Sequence, residues 1–239
     1  NCSDNMVTGR PQTQGDAIKN FAMTPDNGRD AKDNWAIMYQ LVAKANDILR
    51  NVPIAANISD NVKKNAIAQA HFYRAFAYLW LSPWYGDNGP NGGIPILTEK
   101  IPVEELDKER PKSVLENYDL IIDDLRKAGD MLPLLSQWEA SQWGRPHKAA
   151  AWGFAARAAL YAAQYDRKYY DIVVEMCDKI INLTGEDKRE LYSDYTTFFR
   201  EANNFSKEYI FSVQGTQYEG PKFHGMSFQK DGYGLYNTW

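Results

Sequence analysis

The sequence predicts a mainly α protein built of stacked helical pairs with long loop insertions. Three observations lead there. Apolar residues recur at three- and four-residue steps in successive stretches, a capping box opens one of them, and the Pro- and Gly-rich segments fall between these stretches. The 239 residues are enough to bury a large core.

The first predicted helix runs from Asp33 to Leu49, where Trp35, Met38, Val42, Ala45 and Leu49 form one face and Gln40, Lys44 and Asp47 lie off it. Ser59 or Asp60 caps the second, which ends near Leu81 ahead of Pro83. Ser113-Val-Leu-Glu116 is a capping box, and the stripe Leu115, Tyr118, Ile122, Leu125, Leu132 follows it to Pro133. Pro146 fits the first turn of a fourth helix through AAAWGFAARAALYAA, and a fifth spans about Lys168 to Leu183. Residues 206 to 214, SKEYIFSVQ, read as the one strand. The chain thus divides into a loop-rich opening (1–32), a helical-pair core (33–200) and a tail with a short strand and aromatic loops (201–239).

The pattern A-x-x-x-L-Y, a short turn and a second helix, from Ala156 to Ile181, resembles a tetratricopeptide unit. The Pro- and Gly-rich insert from Ser82 to Lys112 breaks any strict 34-residue period, so an idealised repeat array is excluded.

Composition removes several function classes. The net charge is −4, which gives no basic field for nucleic acid or anionic lipid. The apolar run Ala149–Ala163 is interrupted by Arg157 and is too short to span a bilayer. Cys2 and Cys177 fit neither a zinc knuckle nor a redox pair, and Cys177 shares a helical face with Val173 and Ile180 as a small core residue. The three histidines form no HExxH, and no GxSxG, P-loop or dinucleotide fingerprint is present. No cofactor and no metal site is expected: the loop beginning at Asp87 has Gly89 at its third position and Thr98 at its twelfth, unlike a calcium loop. Asp123 and Asp124 read as a solvated helix face, with Asp123 four residues before Lys127.

Aromatic residues are the better clue, since 7 Trp, 15 Tyr and 10 Phe make 13% of the chain. Tyr218, Phe223, Phe228, Tyr233, Tyr236 and Trp239 lie between glycines, without helical or strand period. These rings either pack back on the helices or form a flat platform for sugar rings, whose C–H faces stack on aromatic planes. Arg10, Asn27, Arg29 and Asp30, in the early loop, are the candidate polar partners of such a platform. Trp138 and Trp143 are a second candidate.

In order along the chain, five segments resemble the SusD/RagB family of surface glycan-binding lipoproteins. Gln69-Ala-His-Phe-Tyr-Arg74-Ala-Phe-Ala-Tyr-Leu, followed by Trp84-Tyr-Gly-Asp87 and Gly93-Ile-Pro-Ile96, is similar to the family signature A-E-A-R-F-L-R-A-x-x-Y and Y-G-x-x-P-L. The others are Trp35–Leu49, Tyr118–Pro133, Gly144–Tyr161 and Ser206–Gln214. Gln69 and His71 depart from the signature's Glu and Arg. The resemblance implies a SusD-like helical domain over 1–239, partial because family members are about twice as long. It implies a non-enzymatic protein of the outer-membrane surface, anchored by a lipid outside this chain, that captures oligosaccharides for a partner TonB-dependent, SusC-like transporter. It also implies structural roles for Trp35, Asn46, Arg74 and Asp87. A guanidinium has five donors and stays charged, so within a helical core it needs carbonyls or a carboxylate. Arg74 is therefore expected to tie its helix to the loop at Asp87. The alternatives are a helical-repeat adaptor for another protein and, less well supported, a helical glycoside hydrolase, which needs two facing carboxylates about 5 to 10 Å apart.

Overall fold

The computed structural model describes residues 29–105 and 107–213, together with Asn20, Ala22 and Thr24. Six α-helices run in order among the described residues: α1 (Arg29–Asn51), α2 (Asp60–Tyr85), α3 (Val114–Met131), α4 (Lys148–Ala162), α5 (Tyr169–Ile181) and the single turn α6 (Tyr195–Phe198). Each of α1 to α5 packs on its neighbour in sequence, the stacked helical pairs that the periodicity predicts.

Local chemistry sets most of the boundaries. Ser113 accepts from Leu115 N through its hydroxyl, and Glu116 reaches back to Ser113 N, so the capping box of α3 is formed. At the other end, the Lys148 ammonium donates to the carbonyls of Gly129 and Asp130 at 3.0 and 3.2 Å, placing a cation on the last turn of α3. The helix α2 passes through Pro83 and ends at Tyr85 instead of Leu81. A proline this near the end removes one internal hydrogen bond, and the Gly86 amide closes the turn on Ser82 O at 2.9 Å. Pro146 precedes α4, whose N-cap is His147. Residues 206–213 are turns and irregular backbone, and no strand occurs among the described residues. An isolated strand has no ladder to satisfy its amides, and here the segment lies against α4, with Phe211 packed on Phe72 and Phe154 at 5.3 and 5.6 Å.

Aromatic pairs run through the core, and α4 adds a run of small residues. Trp35 contacts Tyr39 and Tyr85 at ring distances of 4.8 and 5.1 Å and so closes α1 onto the end of α2. On α4, eight alanines are buried, which lets its backbone approach α3 and α5 closely. Gly129 belongs to the same crossing: a Cβ there would lie 2.6 Å from Trp152 Nε1.

The insert 86–112 is tied down by its backbone. Asp87 N bonds Gly92 O at 2.9 Å and Gly92 N bonds Gly89 O at 3.0 Å, and Gly92 has no room for a side chain, since a Cβ would lie 2.2 Å from Asp87 O. The buried Asn117 amide brackets Ile94, accepting from its N–H at 2.9 Å and donating to its carbonyl at 2.8 Å. Tyr39 donates to Pro95 O at 2.6 Å and Tyr78 accepts from Leu97 N at 2.7 Å. These bonds lead the chain across α1 and α2 and deliver Glu99 to the core.

Candidate functional site

Among the described residues, one polar centre is buried and another lies open in a cleft. The buried centre is built on Arg74, which is only 3% exposed. Its Nε donates to Asp124 Oδ2 at 2.7 Å and its Nη2 to Asp124 Oδ1 at 2.8 Å, a bidentate pair between α2 and α3. Nη1 donates to Asn46 Oδ1 on α1 at 2.8 Å and to Glu99 Oε2 at 2.5 Å. His71, one turn before Arg74, places Nδ1 2.7 Å from Asp124 Oδ1. Burial by itself would raise the Asp124 carboxyl, but the hydrogen bonds from Arg74 and His71 outweigh it and hold Asp124 below the usual carboxylate range. Desolvation would likewise lower Arg74, and Asp124 and Glu99 more than reverse it.

Two expectations are corrected here. Asp124 is not on a solvated face: it is fully buried, while Asp123 is exposed and pairs with Lys127 at 2.6 Å. The signal was in the spacing, because Asp124 follows the buried Asn117 by seven residues and shares its helix face. Asp87 is not the partner of Arg74: its Oδ1 accepts from Gly89 N at 2.6 Å, within its own loop. Asn46 is buried and also donates to Leu97 O at 3.1 Å. The whole centre has its donors and acceptors turned on one another, so its chemistry is that of a structural tie.

The open centre lies between the turn after α3 and the segments that follow α5. It is a cleft of about 500 Å³ lined by Leu135, Ser136, Trp143, Gly185, Glu186, Arg189, Phe205 and Lys207, within the ordinary size range of small-ligand sites. Trp143 and Phe205 meet edge to face at 5.7 Å, and the Trp143 indole is fixed by its N–H on Trp138 O at 3.2 Å. Phe205 holds φ at +64°, a strained value for an aromatic residue, of the kind that persists where surrounding structure imposes it. The floor is pinned by the buried Asp187, which accepts from Ser136 N at 3.0 Å and from its hydroxyl at 2.5 Å. The Arg189 Nη1 donates to Tyr209 O at 3.2 Å. Close by, His147 is buried and its imidazole is held down at about 4, first by desolvation and then by Arg189.

The sequence candidates distribute unevenly over this geometry. Arg10, Asn27, Tyr218, Phe223, Tyr233, Tyr236 and Trp239 lie outside the described residues. Arg29 and Asp30 belong to the first turn of α1, not to an early loop, so the helical core starts four residues before the expected boundary. Trp138 and Trp143 do not share one platform: Trp143 lines the larger cleft, whereas Trp138 lines a second cleft of about 390 Å³ with Lys64, Asp130 and Lys148. Sequence reasoning missed Phe205, Arg189 and Lys207, which come from irregular backbone with no period to mark them.

Comparison with known proteins places this scaffold among relatives. The SusD-like 3 family model, described as starch-binding associating with outer membrane, matches residues 10–160. SusD-like protein P2 of Formosa agariphila is 28% identical over 200 residues, covering 82% of this chain and 36% of that protein. A SusD-like protein of Bacteroides ovatus is 25% identical over 225 residues, covering 86% of this chain and 37% of its own. The crystal structure of a SusD-like protein from Bacteroides fragilis matches with a TM-score of 0.67 at 26% identity, over 82% of this chain and 36% of that one. Surface glycan-binding protein A of Bacteroides thetaiotaomicron, solved in complex with laminarihexaose, has a TM-score of 0.63 at 22% identity, over 82% of this chain and 38% of that one, and that likeness speaks for the fold alone. The chain thus spans little more than a third of the length of these relatives.

Proposed function

Because the chain belongs to the SusD-like family, we propose that it is a non-enzymatic glycan-binding protein of the outer-membrane surface, which captures oligosaccharides and passes them to a partner TonB-dependent transporter. The observation that carries the proposal is the cleft whose aromatic wall, Trp143 and Phe205, stands beside the polar side chains of Ser136 and Glu186. An apolar ring face next to convergent polar groups is what a pyranose needs. The family description points the same way, as does the laminarihexaose held by a relative with this fold. A binding role fits the carboxylates better than hydrolysis does. Of the two neighbouring acids, Glu186 lines the cleft and Asp187 has both oxygens on Ser136, whereas glycoside hydrolysis needs two carboxylates facing the scissile bond. The aromatic tail, with Tyr218 and Tyr236, and the early residues Arg10 and Asn27 remain proposed partners of the same function.

Isothermal titration against a glycan array hit tests the proposal. Trp143→Ala is expected to weaken binding by about 1 to 3 kcal/mol, by analogy with stacking of bases on aromatic side chains. Tyr218→Ala and Tyr236→Ala are expected to lose a similar amount. Affinity unchanged in Trp143→Ala but lost in the tyrosine variants moves the site to the tail. A folded chain that binds no glycan favours the adaptor.

A further inference from the structure

The cleft carries a cation whose charge neutral sugar binding leaves unanswered. The Arg189 side chain is 7% exposed, and a neutral carbonyl, Tyr209 O, takes its Nη1 at 3.2 Å; its Nη2 stands 4.0 Å from Asp187 Oδ1, and its buried Nε meets no acceptor among the described residues. Asp187 does not turn toward it, because both its oxygens hold Ser136. Nor does Glu190 compensate, since it sits at the surface with Lys188 at 2.6 Å and Lys207 at 3.5 Å. A buried guanidinium is ordinarily matched by a carboxylate with well-formed hydrogen bonds. Arg189 and Lys207 line the same cleft, against one lining carboxylate, Glu186.

We propose that this cleft takes an acidic sugar residue, a hexuronate, whose ring stacks on Trp143 while its carboxylate accepts hydrogen bonds from Arg189 and Lys207. The proposal rests on the glycan-binding reading of the cleft. Charge-assisted pairing of a guanidinium with a carboxylate is among the stronger polar contacts, and the long, exposed Lys207–Glu190 pair costs little to exchange for a ligand. Glu186 serves the ring hydroxyls as an acceptor. A neutral hexose fills the aromatic part of the cleft and leaves the guanidinium as it is.

The test is titration of the 239-residue chain with oligogalacturonides, oligoalginates and oligoglucuronates, each beside its carboxyl-reduced, neutral form. At least one acidic oligomer is expected to bind about ten-fold or more tightly than its reduced form, the scale of one charged hydrogen bond, and to weaken as salt rises. Arg189→Gln is expected to abolish that preference, Arg189→Lys to keep part of it, and the exposed Lys207→Gln to reduce it several-fold. Should Arg189→Gln not fold, Lys207→Gln and the salt series decide the matter. Equal affinity for acidic and reduced forms, lost in Trp143→Ala, overturns the acidic-sugar proposal and leaves glycan binding in place. A preference for the acid that survives both charge substitutions overturns its assignment to this cleft. Absence of binding to acidic and neutral glycans alike overturns both.

Discussion

Arg74 shows how a single residue is tolerated where composition alone argues against it. Its bonds to Asp124, Asn46 and Glu99 satisfy a charge that would otherwise stand unpaired in the core, so the partners matter as much as the arginine. Asp124→Leu is expected to cost about 3 to 5 kcal/mol in urea unfolding, the usual penalty for stranding a buried charge. The double variant Arg74→Leu with Asp124→Leu is expected to recover part of that loss, and a single variant with an unchanged midpoint would mean that the pair holds nothing together. Asp124 and the buried His147 set the response to acid. Asp124 sits below its ordinary value, so its stabilisation is present above about pH 4 and is lost as pH falls through the depressed value. His147, held at about 4 against an ordinary 6.5, is neutral in the fold while the unfolded chain takes up a proton first. Stability is therefore expected to fall from pH 6.5 toward pH 4 by roughly 3 kcal/mol on account of this group, at about 1.4 kcal/mol per pH unit. Thermal melts across that range should flatten in His147→Gln. The sequence showed that Arg74 needed acceptors and misidentified them, because Asp124 and Glu99 stand 50 and 25 positions away.

At the scale of elements, the crossing of α3 and α4 depends on small residues. Glycine inside a helix is unfavourable by up to about 1 kcal/mol relative to alanine, and Gly129 is nevertheless required, since a Cβ would lie 2.6 and 2.9 Å from the Trp152 indole. Gly129→Ala is therefore expected to destabilise by about 1 to 3 kcal/mol, overpacking outweighing the propensity gain. A rise in melting temperature would show that Trp152 gives way freely. The helices themselves were legible to within a few residues, because caps and apolar spacing are local. The strand read over 206–214 shows the limit: its alternation of residues is local, whereas the described part, 206–213, forms turns and irregular backbone laid on the helices, with Phe211 on Phe72 and Phe154.

On the scale of the whole molecule, the stack leaves an aromatic row open along the end of α2. Phe76 stacks on Trp80 at 6.3 Å, and Trp80 and Trp84, one turn apart, are 43% and 66% exposed. Adjacent exposed indoles are a sticky surface. The double variant Trp80→Gln with Trp84→Gln is expected to lower self-association in light scattering at high concentration, with the melting temperature kept within a few degrees; association unchanged in that variant would place the contact elsewhere. By itself the sequence determined the helical class, the order of the elements, the capping of α3 and the family, since all of these are written in residues within a few turns of one another or in ordered motifs. Tertiary structure alone decided which acid answers Arg74, and that Trp143, Phe205, Arg189 and Lys207 share one cleft. These facts depend on packing between residues tens of positions apart, as in the 51-residue separation of Ser136 and Asp187, and no local period or propensity encodes a juxtaposition that forms only when the helices have stacked.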